Sequence, residues 1–252
     1  MDALYCFCFA PSDLPADLDL DGCGWEDPVS VSRVVGLRVV LSRVPRERFE
    51  GDEAEQCLAN LDWLLPRVAA HDRVIAQTMA RSTVFPLPFG TLFSSTKALA
   101  LEVASRRHSL LRFFERMAGR EEWAVKALLD PERAIAARLR ILYPDDAETP
   151  ASGRGYLLRQ RRKGLAEQAL GPWLTQAVAD LDQRLERHSE AVAVRPARDP
   201  AVANRAVLVD ATGAAGLRAE VERIGAEYAD QGLDLHCTGP WPLYSFCAAP
   251  PQ

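Results

Sequence analysis

The feature that most constrains the fold is an alternation of helical apolar spacing with short strand-like runs. Leu58, Leu61 and Leu65 recur at helical spacing, which predicts a helix that buries this stripe. Residues 4–9 are instead apolar, aromatic and short, which is typical of a buried strand. Because both kinds of segment occur in each half of the chain, we expect an α+β fold.

The first half contains strand-like runs at residues 4–9, 29–43 and 123–127, together with two long helices. Prolines exclude a helix at residues 84–90, so this stretch is an edge strand or an extended connection. These elements predict a ferredoxin-like α+β domain, which we place at residues 1–130. The expected core stripe of its second helix is Leu99, Val103, Leu110, Phe114 and Met117.

The second half, residues 131–252, is expected to form a variant α+β domain with a long helix and an extended C-terminal tail. The long helix covers about residues 156–188, and Gly171-Pro172 predicts a break within it. Pro66 predicts a similar kink, near residues 62–65, in the first helix of the first domain. Residues 144–155 are expected to form a flexible loop.

Composition and charge exclude two classes of function. The chain has 30 basic and 35 acidic residues and a formal net charge of −5, which argues against general nucleic-acid binding. Its apolar runs are far shorter than the roughly 18–20 residues of a membrane-spanning helix. The amino terminus has no signal-peptide pattern, so we expect a cytoplasmic protein without membrane association.

No segment carries a recognisable catalytic or cofactor-binding motif, so neither an enzyme nor a cofactor is expected. The six cysteines include no Cys-x-x-Cys pair, and a reducing cytosol disfavours disulfides. Cys6 and Cys8 are two residues apart in a strand and therefore share a face. A metal site that combines them with His236, Cys237 or Cys247 is the alternative to the favoured interpretation, buried thiols that act as small apolar groups.

Two segments rich in proline and aromatic residues are candidates for partner contact, residues 86–93 and 238–246. The prolines on either side of Trp241 exclude an inner strand, so this tail either covers the core as a clasp or presents aromatic side chains to a partner. A basic run near residue 160 is either a solvated helix face or a contact for an acidic partner. The candidate partner-binding residues are Pro86, Leu87, Phe89, Phe93, Arg159, Arg162, Trp241, Tyr244 and Phe246.

Five motifs, in the same order along the chain, resemble the gas vesicle protein F/L family. They lie at residues 4–7, 71–93, 122–126, 155–158 and 238–246. The second contains Pro-Leu-Pro-Phe-Gly-Thr, in which Pro88 stands where the family usually has arginine. The third resembles the strand that closes the family's first domain, and the fourth resembles the start of the long helix in its second domain.

The resemblance implies a two-domain α+β protein without enzymatic activity that assists gas vesicle formation. It further implies that the partners are the hydrophobic shell protein and other gas vesicle accessory proteins, and that the chain is located at gas vesicles. The alternative from a different functional class is a small-molecule sensor or enzyme built on ferredoxin-like domains.

Overall fold

Strand β1 is the centre of the first sheet because its sequence is apolar at nearly every position. It spans Asp2–Ala10, and all of its residues after Asp2 are buried. A strand that is covered on both faces needs such an uninterrupted apolar run. The computed structural model describes residues 2–20, 25, 27–144 and 153–247 of the chain.

The first sheet has the order β2-β3-β1-β4, and β5 also pairs with β1. Its other strands are β2 (Val29–Val34), β3 (Leu37–Pro45), β4 (Phe85–Pro86) and β5 (Leu92–Phe93). The neighbours of β1 all run antiparallel to it. The proline-rich stretch predicted as an edge strand or extended connection therefore provides β4, at the edge of the strand order.

Three helices accompany this sheet: α1 (Asp52–Ala59), α2 (Leu61–Met79) and α3 (Thr96–Met117). All five residues of the predicted α3 stripe are buried, as expected. The helical stretch is interrupted at Asn60, and α2 continues through Pro66, where the predicted kink stays a prediction. The Asn60 side chain accepts a hydrogen bond from the backbone N–H of Asp62 at 3.0 Å and so begins α2 as a cap.

The prediction that Leu58, Leu61 and Leu65 are buried is wrong. These side chains are 45%, 61% and 59% exposed. The buried residues of α2 are concentrated in its later turns, from Ala70 to Thr78. Helical periodicity shows which side chains share a face, but it does not show where along its length a helix meets the core.

The second sheet has the order β7-β8-β6-β9. Its strands are β6 (Arg120–Leu129), β7 (Ala191–Val194), β8 (Ala201–Asp210) and β9 (Leu233–Trp241). The helices between them are α4 (Pro131–Leu142), α5 (Gly153–Arg187) and α6 (Ala214–Ala229). The element order β6-α4-α5-β7-β8-α6-β9 is that of a ferredoxin-like unit with a helix pair in the first crossover. The predicted α+β class with a long helix is confirmed.

Contacts divide the chain into two compact units: Met1–Gly119 with Trp241–Gln252, and Arg120–Pro240. Strand β6 was expected to close the first domain, yet it pairs along its whole length with β8. Its inward residues, among them Trp123 and Val125, pack in the core of the second unit. A half-buried strand pattern does not reveal which of two sheets the strand will join, so the predicted boundary after residue 130 differs from this division.

Helix α5 continues through Gly171-Pro172, contrary to the predicted break. Pro172 has no N–H to donate to the carbonyl oxygen of Gln168. Gln168 is exposed, so water can donate a hydrogen bond to this carbonyl instead. Later turns of α5 contribute Ala177, Leu181 and Leu185 to the core of the second unit, and this packing stabilises the helix beyond Pro172. Residues 145–152 of the predicted flexible loop lie outside the described residues.

No helix within the described residues is both long enough and apolar enough to cross a membrane.

Candidate partner-binding surface

The two proline-aromatic segments meet at His71, a buried residue of α2 in the first unit. The His71 Nε2 atom lies 3.1 Å from the carbonyl oxygen of Leu87, which belongs to the first segment. The hydroxyl of Tyr244, 173 positions away in the chain, lies 3.4 Å from the same nitrogen. The structure therefore joins segments that are far apart in sequence at one side chain.

A chain of hydrogen bonds fixes the protonation of His71. The backbone N–H of Gly90 donates to the Tyr5 hydroxyl at 3.2 Å, so the hydroxyl hydrogen is free to donate to His71 Nδ1 at 2.9 Å. With Nδ1 as an acceptor, the ring hydrogen resides on Nε2 and is donated to the Leu87 carbonyl oxygen. Burial lowers the pKa of His71 and favours this neutral tautomer, although the Leu87 contact and the charge of Asp72 oppose it.

Tyr244 connects the C-terminal tail to the exposed side of α2. Its hydroxyl donates to Oδ1 of Asp72 at 3.3 Å. Burial, and after it the negative charge of Asp72, raises the pKa of Tyr244, so the phenol keeps its proton at neutral pH. The side chain is still 36% exposed, which leaves part of its ring available to a partner.

The neutral state of His71 predicts a pH dependence of stability. Its ordinary pKa is 6.5 and its folded value is lower, so below pH 6.5 the unfolded chain takes up a proton that the folded chain does not. The contribution of neutral His71 to the free energy of unfolding is complete above pH 6.5 and is lost as the pH falls. From pH 7.5 to 5.5, the advantage in unfolding free energy over a His71→Gln variant should therefore shrink.

Urea unfolding of both proteins at several pH values measures this difference. The charged or titratable groups near the ring, Asp72, Tyr5 and Tyr244, are retained in the variant. An advantage that stays constant from pH 7.5 to 5.5 would show that His71 is protonated in the folded protein.

Aromatic packing holds the surface-facing ring of Phe89 in place. The His71 ring stacks on Phe7 with centroids 5.5 Å apart and meets Phe89 edge-on at 5.7 Å. Tyr5, in turn, packs against Trp25 with centroids 4.5 Å apart. Because rings in contact with several neighbours have few alternative positions, Phe89 is presented in a fixed orientation.

The sequence-predicted residues of the first unit differ in exposure and fall into buried, exposed and half-buried groups. Pro86 and Leu87 are buried, so they position the segment and offer little surface of their own. Trp241 and Tyr244 are 45% and 36% exposed. The remaining three are half-buried: Phe89, Phe93 and Phe246.

The tail contains both buried and exposed side chains. Leu243 is only 3% exposed and packs as a clasp, whereas Trp241 and Tyr244 on either side of it remain accessible. We call Phe89, Trp241 and Tyr244 the aromatic surface. The two predicted arginines lie elsewhere, on α5 of the second unit. Arg159 is exposed, and Arg162 is half-buried with its guanidinium 4.8 Å from the Tyr143 ring centre.

Cys6 and Cys8 are buried, and burial raises the pKa of the Cys6 thiol to about 12. Such a thiol remains protonated and unreactive at neutral pH. Across the described ranges of the chain, no three His, Cys, Asp or Glu side chains are arranged to hold a metal ion. The chemistry offered at the aromatic surface is thus apolar contact with a few hydrogen-bonding groups.

Comparison with known proteins places this architecture in a family. The family model described as gas vesicle synthesis protein GvpL/GvpF matches residues 3–248. The chain belongs to the GvpL/GvpF family. Gas vesicle protein L of Streptomyces sp. (strain CB03234) is 30% identical to it over 235 residues, which cover 89% of this chain and 85% of that protein. Gas vesicle protein F of the same strain is 26% identical over 186 residues, 70% of this chain and 75% of that protein.

Solved structures of GvpF have the same fold. The crystal structure of GvpF from Anabaena sp. PCC7120 aligns with a TM-score of 0.72 and 18% identity, covering 99% of this chain and 98% of that one. GvpF from Microcystis aeruginosa aligns with a TM-score of 0.71 and 18% identity, covering 98% and 99%. The fold therefore persists where the sequences have diverged widely.

Within this GvpL/GvpF chain, the sequence analysis missed the residues that join the two segments. Its candidates did not include His71, which is buried, and it predicted neither the bond of His71 to Tyr5 nor that to Tyr244. Asp72, which holds the Tyr244 hydroxyl, was not among the candidates. The available signal was the His-Asp pair that follows Ala69 and Ala70 in α2.

Proposed function

We propose that this chain takes part in gas vesicle formation by binding apolar surfaces of the gas vesicle shell protein and of other gas vesicle accessory proteins. Membership in a family of gas vesicle synthesis proteins supports the role in formation. The observation that carries the binding proposal is the convergence of both proline-aromatic segments on His71, with Trp241 and Tyr244 left exposed.

The physical basis is the need to shield a water-repelling subunit before assembly. An exposed apolar face or sheet edge aggregates unless another molecule covers it. Tryptophan and tyrosine supply large contact areas and dominate many protein interfaces. Because hydrogen bonds and ring packing already hold Tyr244 and Phe89, little conformational freedom is lost on binding.

The proposal has further elements. Arg159 and Arg162 on α5 provide a separate contact for acidic groups of a partner. We add the half-buried Phe93 and Phe246 as further partner contacts, and the buried Pro86 and Leu87 hold the first segment in place. We place the activity at gas vesicles in the cytoplasm, and it requires no catalysis, cofactor, nucleic acid or membrane.

Removal of the exposed rings tests the proposal. A Trp241→Ala/Tyr244→Ala double variant should capture the shell protein at least about tenfold less well than the parent chain in co-purification, since anchor residues of this kind each contribute about 1–2 kcal/mol or more. The matched control is Leu101→Ala, which removes a 63% exposed side chain from α3 of the same unit. Equal capture by the double variant and the control would reject the aromatic surface as the binding site, provided that thermal unfolding shows both proteins folded.

A further inference from the structure

The first unit carries an exposed patch that is both apolar and acidic. No residue from 55 to 65 is buried, and Leu58, Leu61 and Leu65 are 45%, 61% and 59% exposed. Residues 52–65 contain four acids, Asp52, Glu53, Glu55 and Asp62, and no basic residue, for a charge of −4. We call this stretch of α1 and α2 the acidic patch. Three exposed leucines in so short a stretch indicate an interaction site.

The second unit carries a patch of the same kind with the opposite charge. Leu157, Leu158 and Leu165 of α5 are 68%, 39% and 42% exposed. Residues 154–165 contain five basic residues, Arg154, Arg159, Arg161, Arg162 and Lys163, and no acid, for a charge of +5. At 3.6 residues per turn, Arg154, Leu157, Leu158, Arg161 and Leu165 fall within an arc of about 100°. We call these five residues the basic patch.

We propose that the acidic patch of one copy of this chain binds the basic patch of a second copy. The charges are opposite, −4 over residues 52–65 and +5 over residues 154–165, and each patch offers three leucines to the other. Burial of the leucines provides the favourable free energy, while the charges select the partner and orient it. The proposal goes beyond the proposed function, because neither patch includes a residue of the aromatic surface.

The geometry of such a contact determines the kind of assembly. The two patches differ, so the interface is heterologous, and each bound copy keeps one unused patch for the next. Copies therefore add head to tail and form either an open chain or a closed ring. A protein that self-associates in this way would present the aromatic surface many times along one assembly.

Charge reversal tests the proposal on the full-length protein. Asp52→Lys/Glu55→Lys changes the charge of residues 52–65 from −4 to 0, and Arg154→Glu/Arg161→Glu lowers that of residues 154–165 from +5 to +1. In sedimentation velocity at low salt, the parent chain should associate as concentration rises, and each variant alone should associate at least about tenfold more weakly. An equimolar mixture of the two variants should associate again, because the unchanged basic patch of the first variant then meets the unchanged acidic patch of the second.

A control variant separates patch-specific from general charge effects. Glu115→Lys/Glu186→Lys changes the net charge as much as the acidic-patch variant does, at exposed positions of α3 and α5 outside both patches, and should associate like the parent chain. High salt should weaken association of the parent chain, because screening shortens the range of the charges. A parent chain that stays monomeric at low salt up to about 100 µM, where even weak interfaces are populated, would overturn the proposal, as would variants that associate unchanged.

Discussion

A His71→Ala variant is expected to lose about 3–4 kcal/mol of unfolding free energy, most of it in the first unit. The ring is 1% exposed and packs against Tyr5, Phe7 and Phe89, so its removal leaves a cavity. It also removes the acceptor of the Tyr5 hydroxyl and the donor to the Leu87 carbonyl. Buried polar groups that lose their partners add about 1–3 kcal/mol to the cavity cost.

Asp72→Asn is the matched control, because it changes the adjacent residue on the exposed side of α2 and keeps a hydrogen-bond acceptor for Tyr244. Its expected effect is below about 1 kcal/mol. Urea unfolding measures the totals, and hydrogen exchange of β1 assigns the loss to the first unit. Similar losses in the two variants would show that the ring does not join the segments.

A Gly232→Ala variant is expected to destabilise the second unit by about 4 kcal/mol. Gly232 has φ +84°, a conformation that costs an alanine about 1–2 kcal/mol. An added Cβ would lie 2.5 Å from the backbone nitrogen of Ala134 and 2.9 Å from the carbonyl oxygen of Asp130. Both contacts are with the first turn of α4, whose backbone cannot move without losing the bond between the Asp130 N–H and the Gly232 carbonyl.

Two other glycines separate the conformational cost of an alanine from the steric cost of its Cβ contacts. Gly51 has φ +85° with no atom near an added Cβ, so Gly51→Ala isolates the conformational cost of about 1–2 kcal/mol. Gly216, inside α6 with open space around it, should gain about 0.5–1 kcal/mol as alanine. Thermal or urea unfolding compares all three variants. A loss at Gly232 no larger than at Gly51 would mean that α4 and the turn at Gly232 adjust without cost.

Much of the fold could be predicted because local patterns determine it. The unbroken apolar run of β1 and the five-residue stripe of α3 needed no information beyond periodicity. Properties that depend on distant partners were less accessible. The sheet that β6 joins is decided by nine residue pairs with β8, and packing in the same core supports the continuation of α5 beyond Pro172.

The candidate site was predictable in composition but not in arrangement. Proline and aromatic content identified both segments, because this combination excludes helices and inner strands. Their meeting at His71 depends on hydrogen bonds between residues 66 and 173 positions apart, which leave no local signal. Leu61 and Leu65 show the opposite error, since a valid periodicity was assigned to the core and instead marks an exposed face.

The first unit is interrupted in sequence, because it consists of Met1–Gly119 and Trp241–Gln252. A ribosome that adds about 5–20 residues per second completes the early part of this unit well before its last segment emerges. Tyr244 thus reaches His71 only after the intervening unit has been synthesised. The nascent chain consequently lacks the complete aromatic surface until residues 241–244 have been synthesised, and a premature stop before Trp241 would yield a protein without it.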